Sequence, residues 1–100
     1  MSNTEISLDG ALHAIADPTR RRILRTLKEG GSGAKPGELT RLCAGDIEHR
    51  VHLTQPTISH HMAILTKAGL VEATKEGQWR WYRRNEKAIR QVVKRLRAAL

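Results

Sequence analysis

Apolar residues recur at three- and four-residue intervals through most of this chain, and the intervals break at prolines, glycines and short polar residues. Leu8, Ala11, Leu12 and Ile15 predict a first helix over Leu8 to Ala16. Asp17-Pro18 restarts the chain, with Asp17 as N-cap and Pro18 in the first turn, where a missing N–H does no harm. The second helix runs from Pro18 to about Lys28, with Ile23, Leu24 and Leu27 inward and Arg20, Arg21, Arg22 and Arg25 as a basic surface. Residues 30–37 (GGSGAKPG) have the composition of a flexible loop. Glu38 to Leu42 reads as a helical turn, and a third helix spans about Ala44 to Val51 with Ile47 and Val51 inward.

His52-Leu53-Thr54 is a tight turn into the most informative stretch, Leu53 to Leu70. Thr54 is an N-cap whose hydroxyl can accept from a first-turn N–H, and Pro56 is tolerated for the same reason as Pro18. Ile58, His61, Met62 and Leu65 form a stripe at helical spacing, and Gly69 stands where a left-handed cap ends a helix. The opposite face carries Gln55, Thr57, Ser59, His60 and Ala63 and no acid. A short-chain, polar, acid-free helix face can approach phosphates and base edges. The competing reading is an ordinary amphipathic surface helix.

The residues after this helix favour DNA. Val71 to Thr74 and Trp79 to Arg84 are two short strand-forming runs around a Lys75-Glu76-Gly77-Gln78 turn, hence a β-hairpin. A hairpin directly after such a helix reads as a wing, with Lys75 and Arg80 reaching a DNA backbone. Trp79 and Trp81 (or Tyr82) are expected to pack on the core rather than stack on bases.

Composition suits a small binding module. One hundred residues make one domain, divided here into a flexible N-terminus over residues 1–7 and a binding and dimerisation domain over 8–100. With no phenylalanine, the core must come from Leu, Ile, Val and Ala. Eighteen Lys and Arg against 10 Asp and Glu leave a formal net charge of +8, suited to a polyanion. No apolar run has transmembrane length and no signal-type N-terminus is evident, so nucleic acid is the expected partner, not a membrane. One cysteine excludes an intrachain disulfide and fits a reducing cytoplasm.

A last helix starts at Glu86, with Ile89, Val92, Val93, Leu96 and Leu100 on one face and Arg90, Lys94, Arg95 and Arg97 on the rest. Beyond the wing little of the domain is left for that stripe to cover. The first and last helices are therefore expected to pair across a two-fold axis, giving a homodimer whose two recognition helices enter successive major grooves of an inverted repeat, about 34 Å apart. The alternative is that both helices pack on their own core.

The segments Ala16-Asp17-Pro18-Thr19-Arg20-Arg21-Arg22-Ile23-Leu24, Leu42-Cys43-Ala44-Gly45-Asp46-Ile47, Leu53 to Met62 and Ala68-Gly69-Leu70-Val71 resemble, in order, the ArsR/SmtB family of bacterial repressors. The resemblance implies a mainly α winged helix-turn-helix with a two-stranded β wing, dimeric through its N- and C-terminal helices, that blocks transcription from an operator. In many members a metal or other inducer loosens DNA binding. Two departures stand out. The thiolate pair at the start of the third helix is here Cys43-Ala44-Gly45, with one thiol, and a soft-metal site needs at least two or three. The last helix, used by zinc-sensing members, has one acid and no histidine. The loop over residues 30–37 also exceeds the family's usual length.

No cofactor is therefore expected. His49 and His52, three apart, are the candidate ligands if nickel or zinc acts on a repressor of this kind. An enzyme finds no support: there is no nucleophile with its base, no paired acids in an apolar setting, and no Gly-Lys-Ser/Thr ending to the glycine-rich loop. A winged helix used only for protein contacts is the remaining alternative, and the basic helix faces argue against it. Gln55, Thr57, Ser59 and His60 are the expected groove residues, with Lys75 and Arg80 on the backbone.

Overall fold

A computed structural model describes residues 6–30 and 41–100. Helices α1 (Leu8–Ile15) and α2 (Pro18–Glu29) are followed by a short strand β1 (Leu42–Cys43), helices α3 (Ala44–Val51) and α4 (Gln55–Lys67), strands β2 (Val71–Glu76) and β3 (Trp79–Arg84), and helix α5 (Glu86–Ala99). The strands form one antiparallel sheet in the order β1-β3-β2. The two-stranded wing is thus joined at its base by two residues of β1.

Side-chain caps start α1, α2 and α5, and of these Asp17 is the one expected from the sequence. Asp17 accepts from the Arg20 N–H at 2.9 Å, and Asn85 accepts from the Ala88 N–H at 3.1 Å. Ser7 does the same for α1 through Gly10, and Ile6 packs on the core beside it. Thr54 departs from expectation. It occupies the N-cap of α4, but its hydroxyl pairs with the Thr57 hydroxyl at 3.0 Å instead of a backbone N–H.

One core unites the elements. Ala11 and Ala14 of α1, Ile23 and Leu27 of α2, Ile47 and Val51 of α3, and Ile58, Met62 and Leu65 of α4 meet Leu70, Val71, Tyr82 and Val92. Small alanines let α1 come close to α2 and α4. Tyr82 is the aromatic that fills the core, with Ala73 opposite it on β2 and Leu42 opposite it on β1.

Three expectations are corrected. Leu42 lies in β1, its side chain buried against Tyr82, and not in a helical turn; Glu38, Thr40 and most of the glycine-rich loop fall outside the described residues. Lys75 and Glu76 are strand residues paired with Arg80 and Trp79, so the turn shrinks to Gly77-Gln78, with Gly77 at φ +62°. Trp79 is 62% exposed, because its position beside the turn carries it past the edge of the core.

Arg20 is a fourth correction: it is buried, not part of a basic surface. The reason lies in the ends of α1. A helix leaves its last four carbonyls without intrahelical partners. Those of His13 and Ala14 accept from the Arg20 guanidinium, and those of Ile15 and Ala16 from Arg21 Nη1. The adjacent arginines of α2 thus complete the end of α1 and draw Arg20 inward.

Candidate DNA interface

The residues proposed to meet DNA are set by α3, the turn and α4. His52 ends α3 in the left-handed conformation, at φ +57°, and turns the chain within two residues. Its N–H bonds the Glu48 carbonyl at 3.0 Å. The buried stripe of α4, Ile58, Met62 and Leu65, then locks the helix rotation. His61 is half-buried at the edge of that stripe.

With rotation fixed, Gln55, Ser59, His60 and Ala63 are exposed and Thr57 is half-buried. No acid lies in the first turn of α4, so the unpaired N–H groups and positive dipole end there meet no competing negative charge. The other end of α4 is closed by Gly69, at φ +81°. Its N–H reaches the Thr66 carbonyl at 3.0 Å, and the Leu70 N–H reaches Leu65 at 3.1 Å. This is the paired 5→2 and 6→1 bonding of a Schellman cap, with Leu70 buried beside Leu65. It turns the chain directly into β2, which packs on α4.

The two faces of the wing differ in charge. On the face that continues the core through Val71 and Tyr82, Lys75 and Arg80 are direct cross-strand partners. Neither takes part in an ion pair among the described residues. On the outer face charges are matched: Arg83 pairs with Glu72 at 3.4 Å, and Arg41 pairs with Glu76 while lying 4.3 Å over the Trp81 ring. The bond from Arg41 holds the Glu76 carboxyl below its usual range. The Arg41–Trp81–Glu76 cluster has no signature in the sequence, because it needs β1 alongside β3.

The histidine candidates for metal do not converge on a third ligand. The His49 and His52 rings lie 6.4 Å apart at the exposed end of α3. Among the described residues no three His, Cys, Asp or Glu side chains are placed to share an ion. Cys43 is buried at the start of α3, its Sγ 3.1 Å from Asp46 Oδ2, and the same carboxylate accepts from the Cys43 N–H. These residues do not fit a soft-metal site.

Known proteins share this geometry. A family model described as a helix-turn-helix domain matches residues 15–74. An uncharacterized HTH-type transcriptional regulator of Methanocaldococcus jannaschii is 41% identical over 81 residues, 81% of each chain. The arsenical resistance operon repressor of Staphylococcus aureus is 32% identical over 96 residues, 96% of this chain and 81% of the relative. The crystal structure of an ArsR-like transcriptional regulator from Rhodococcus sp. RHA1 superposes with a TM-score of 0.73 at 25% identity, over 92% of this chain and 77% of that one. Helix-turn-helix, acid-free helix face and basic wing therefore have one explanation: the chain belongs to the ArsR family of winged helix-turn-helix transcriptional regulators, DNA-binding proteins that carry out no catalysis.

Proposed function

We propose that this regulator is a homodimeric repressor of an inverted-repeat operator, with α4 in the major groove and the wing on the phosphate backbone. The observation that carries the reading is the placement of Lys75 opposite Arg80 on the side of the wing that packs against α4. Like charges directly opposite each other destabilise a hairpin. A phosphate between or beside them reverses that sign. Gln55, Thr57, Ser59 and His60 then serve as groove residues, Gln55 as the one suited to a bidentate contact with adenine.

The dimer reading rests on α5. Val92 is buried, but Val93 beside it is 61% exposed and Leu96 half-buried, so an apolar flank of α5 faces outward next to α1. A second copy of that flank would cover it and set two α4 helices on one side of the assembly. Among the described residues no helix is long and apolar enough to cross a membrane, and a regulator of this kind is proposed to work where the DNA is, in the cytoplasm. The test is retention of duplexes from a randomised library as salt is raised. Enrichment of an inverted repeat, with affinity falling steeply in salt, supports the reading. Equal, salt-insensitive retention of all duplexes contradicts it.

The same geometry argues against relief by a soft metal. The single thiol is buried and turned to Asp46. Arsenite or cadmium is expected to leave the selected duplex bound, and Cys43→Ser to bind it as the natural chain does. Release by stoichiometric arsenite that disappears in Cys43→Ser would show a thiolate site that this packing does not offer. If a metal acts, nickel or zinc at His49 and His52 is the chemistry to titrate.

A further inference from the structure

Among the described residues Arg20 is the one charged side chain that the fold buries, at 8% exposure. Its three nitrogens go to two helices. Nε donates to the Ala14 carbonyl at 2.6 Å and Nη2 to the His13 carbonyl at 3.2 Å, both at the end of α1. Nη1 lies 3.3 Å from His61 Nδ1, in the middle of α4. Among the described residues no carboxylate is in ion-pairing distance of the guanidinium; Asp17 is bonded to the Arg20 backbone N–H instead. The charge is met by the negative end of the α1 dipole and by lone pairs.

A guanidinium has only donors. His61 Nδ1 must therefore supply a lone pair, which fixes a neutral imidazole with its proton on Nε2. A second proton would set N–H against N–H and cation against cation. We propose that Arg20 and neutral His61 form the joint that positions the recognition helix α4 on α1, and that protonation of His61 opens this joint and weakens operator binding.

The two residues are positioning residues and touch no DNA. The consequence for DNA rests on the dimer reading above, in which α1 belongs to the dimer contact. A joint between α1 and α4 then fixes how two recognition helices are spaced. The charged and titratable groups around His61 are Asp17 and Arg20 at the start of α2 and His60 beside it on α4; α1 contributes the His13 and Ala14 carbonyls to the same arginine. Burial holds the His61 imidazole below its ordinary range; Asp17 opposes this, and Arg20 and His60 add to it. The neutral form that the geometry requires is thus the form that the surroundings favour.

Two measurements on the intact chain test the proposal. Nitrogen-detected NMR of the imidazoles should show His61 with Nε2 protonated and Nδ1 bare at neutral pH, titrating below the ordinary range of an imidazole. An Nδ1–H tautomer, or titration within the ordinary imidazole range, would overturn the joint. The second measurement takes a duplex that the natural chain selects from a randomised library at pH 7.5 and follows its affinity down to pH 5.5 at constant salt. His61→Gln has an amide oxygen that can accept from Arg20 and takes up no proton. It should bind within about threefold of the natural chain at pH 7.5 and then pull ahead on acidification. The slope is at most about a hundredfold per pH unit, the limit for two linked protons, one in each copy of the dimer. Every other group is common to both proteins, so its effect cancels in the ratio. His61→Phe, with no acceptor, should bind more weakly than His61→Gln at every pH. Parallel profiles for the natural chain and His61→Gln would overturn the proposal. If no duplex is selected, the DNA reading fails by itself, and the NMR result still decides whether the joint exists.

Discussion

Lys75 and Arg80 stand directly opposite each other across the hairpin, on the wing face that runs into the core through Val71 and Tyr82. The outer face of the same hairpin pairs Arg83 with Glu72 and Arg41 with Glu76. The proposed phosphate contact at Lys75 and Arg80 rests on that contrast between the two faces.

Arg80→Ala is therefore expected to weaken binding to selected and random duplexes about equally. It should lower the slope of log affinity against log salt by about two, one phosphate contact from each copy of the dimer. A loss confined to the selected duplex would move Arg80 from the backbone to the bases.

Gln55→Ala should behave differently. Gln55 is exposed at the first residue of α4, where a side-chain amide can reach a base edge. Its loss should relax sequence preference by about 1–3 kcal/mol at one base pair, with little change on random DNA. The measurement is competition between the selected duplex and single-base variants. Unchanged discrimination at every position would remove Gln55 from the groove.

Gly69→Ala tests the hinge between α4 and the wing. The residue sits at φ +81°, and an added Cβ would come within 3.2 Å of Ile6 Cδ1. The left-handed conformation alone costs about 1–2 kcal/mol for a residue with a Cβ. Chemical denaturation should show at least that loss. A midpoint equal to that of the natural chain would mean that the cap relaxes without strain.

Val93→Glu tests the dimer. Val93 is exposed in the single chain, so a charge there leaves the core intact; removing the end of α5 outright would also take Val92 out of the core. Light scattering should find monomer with unchanged helix content by circular dichroism. A dimer that survives the substitution would place the contact elsewhere.

Sequence speaks clearly wherever one residue type does one local job. Asp17-Pro18, Pro56 and Gly69 mark helix ends because each acts on its own backbone, and the helices read on apolar periodicity come within a residue or two of the observed ends. The exposed face of α4 is legible because Ile58, Met62 and Leu65 fix its rotation. What escapes depends on partners distant in the chain. Arg20 looks like any arginine of a basic helix until α1 ends against it. Two-residue β1 has no period to read, so neither Leu42 against Tyr82 nor Arg41 over Trp81 is visible in the sequence. Trp79 is expected inside because tryptophan is large and apolar, but its place beside a two-residue turn carries it outward.

A symmetric operator requires two copies of α4 to read it. Hydroxyl-radical footprinting of the natural chain, on the duplex it selects from a randomised library, examines that directly. Two protected regions related by a two-fold axis are expected, with centres about one helical turn, 34 Å, apart. Flanking protection should weaken in Arg80→Ala. A single unsymmetric protected region, or uniform protection along the duplex, would contradict the symmetric site.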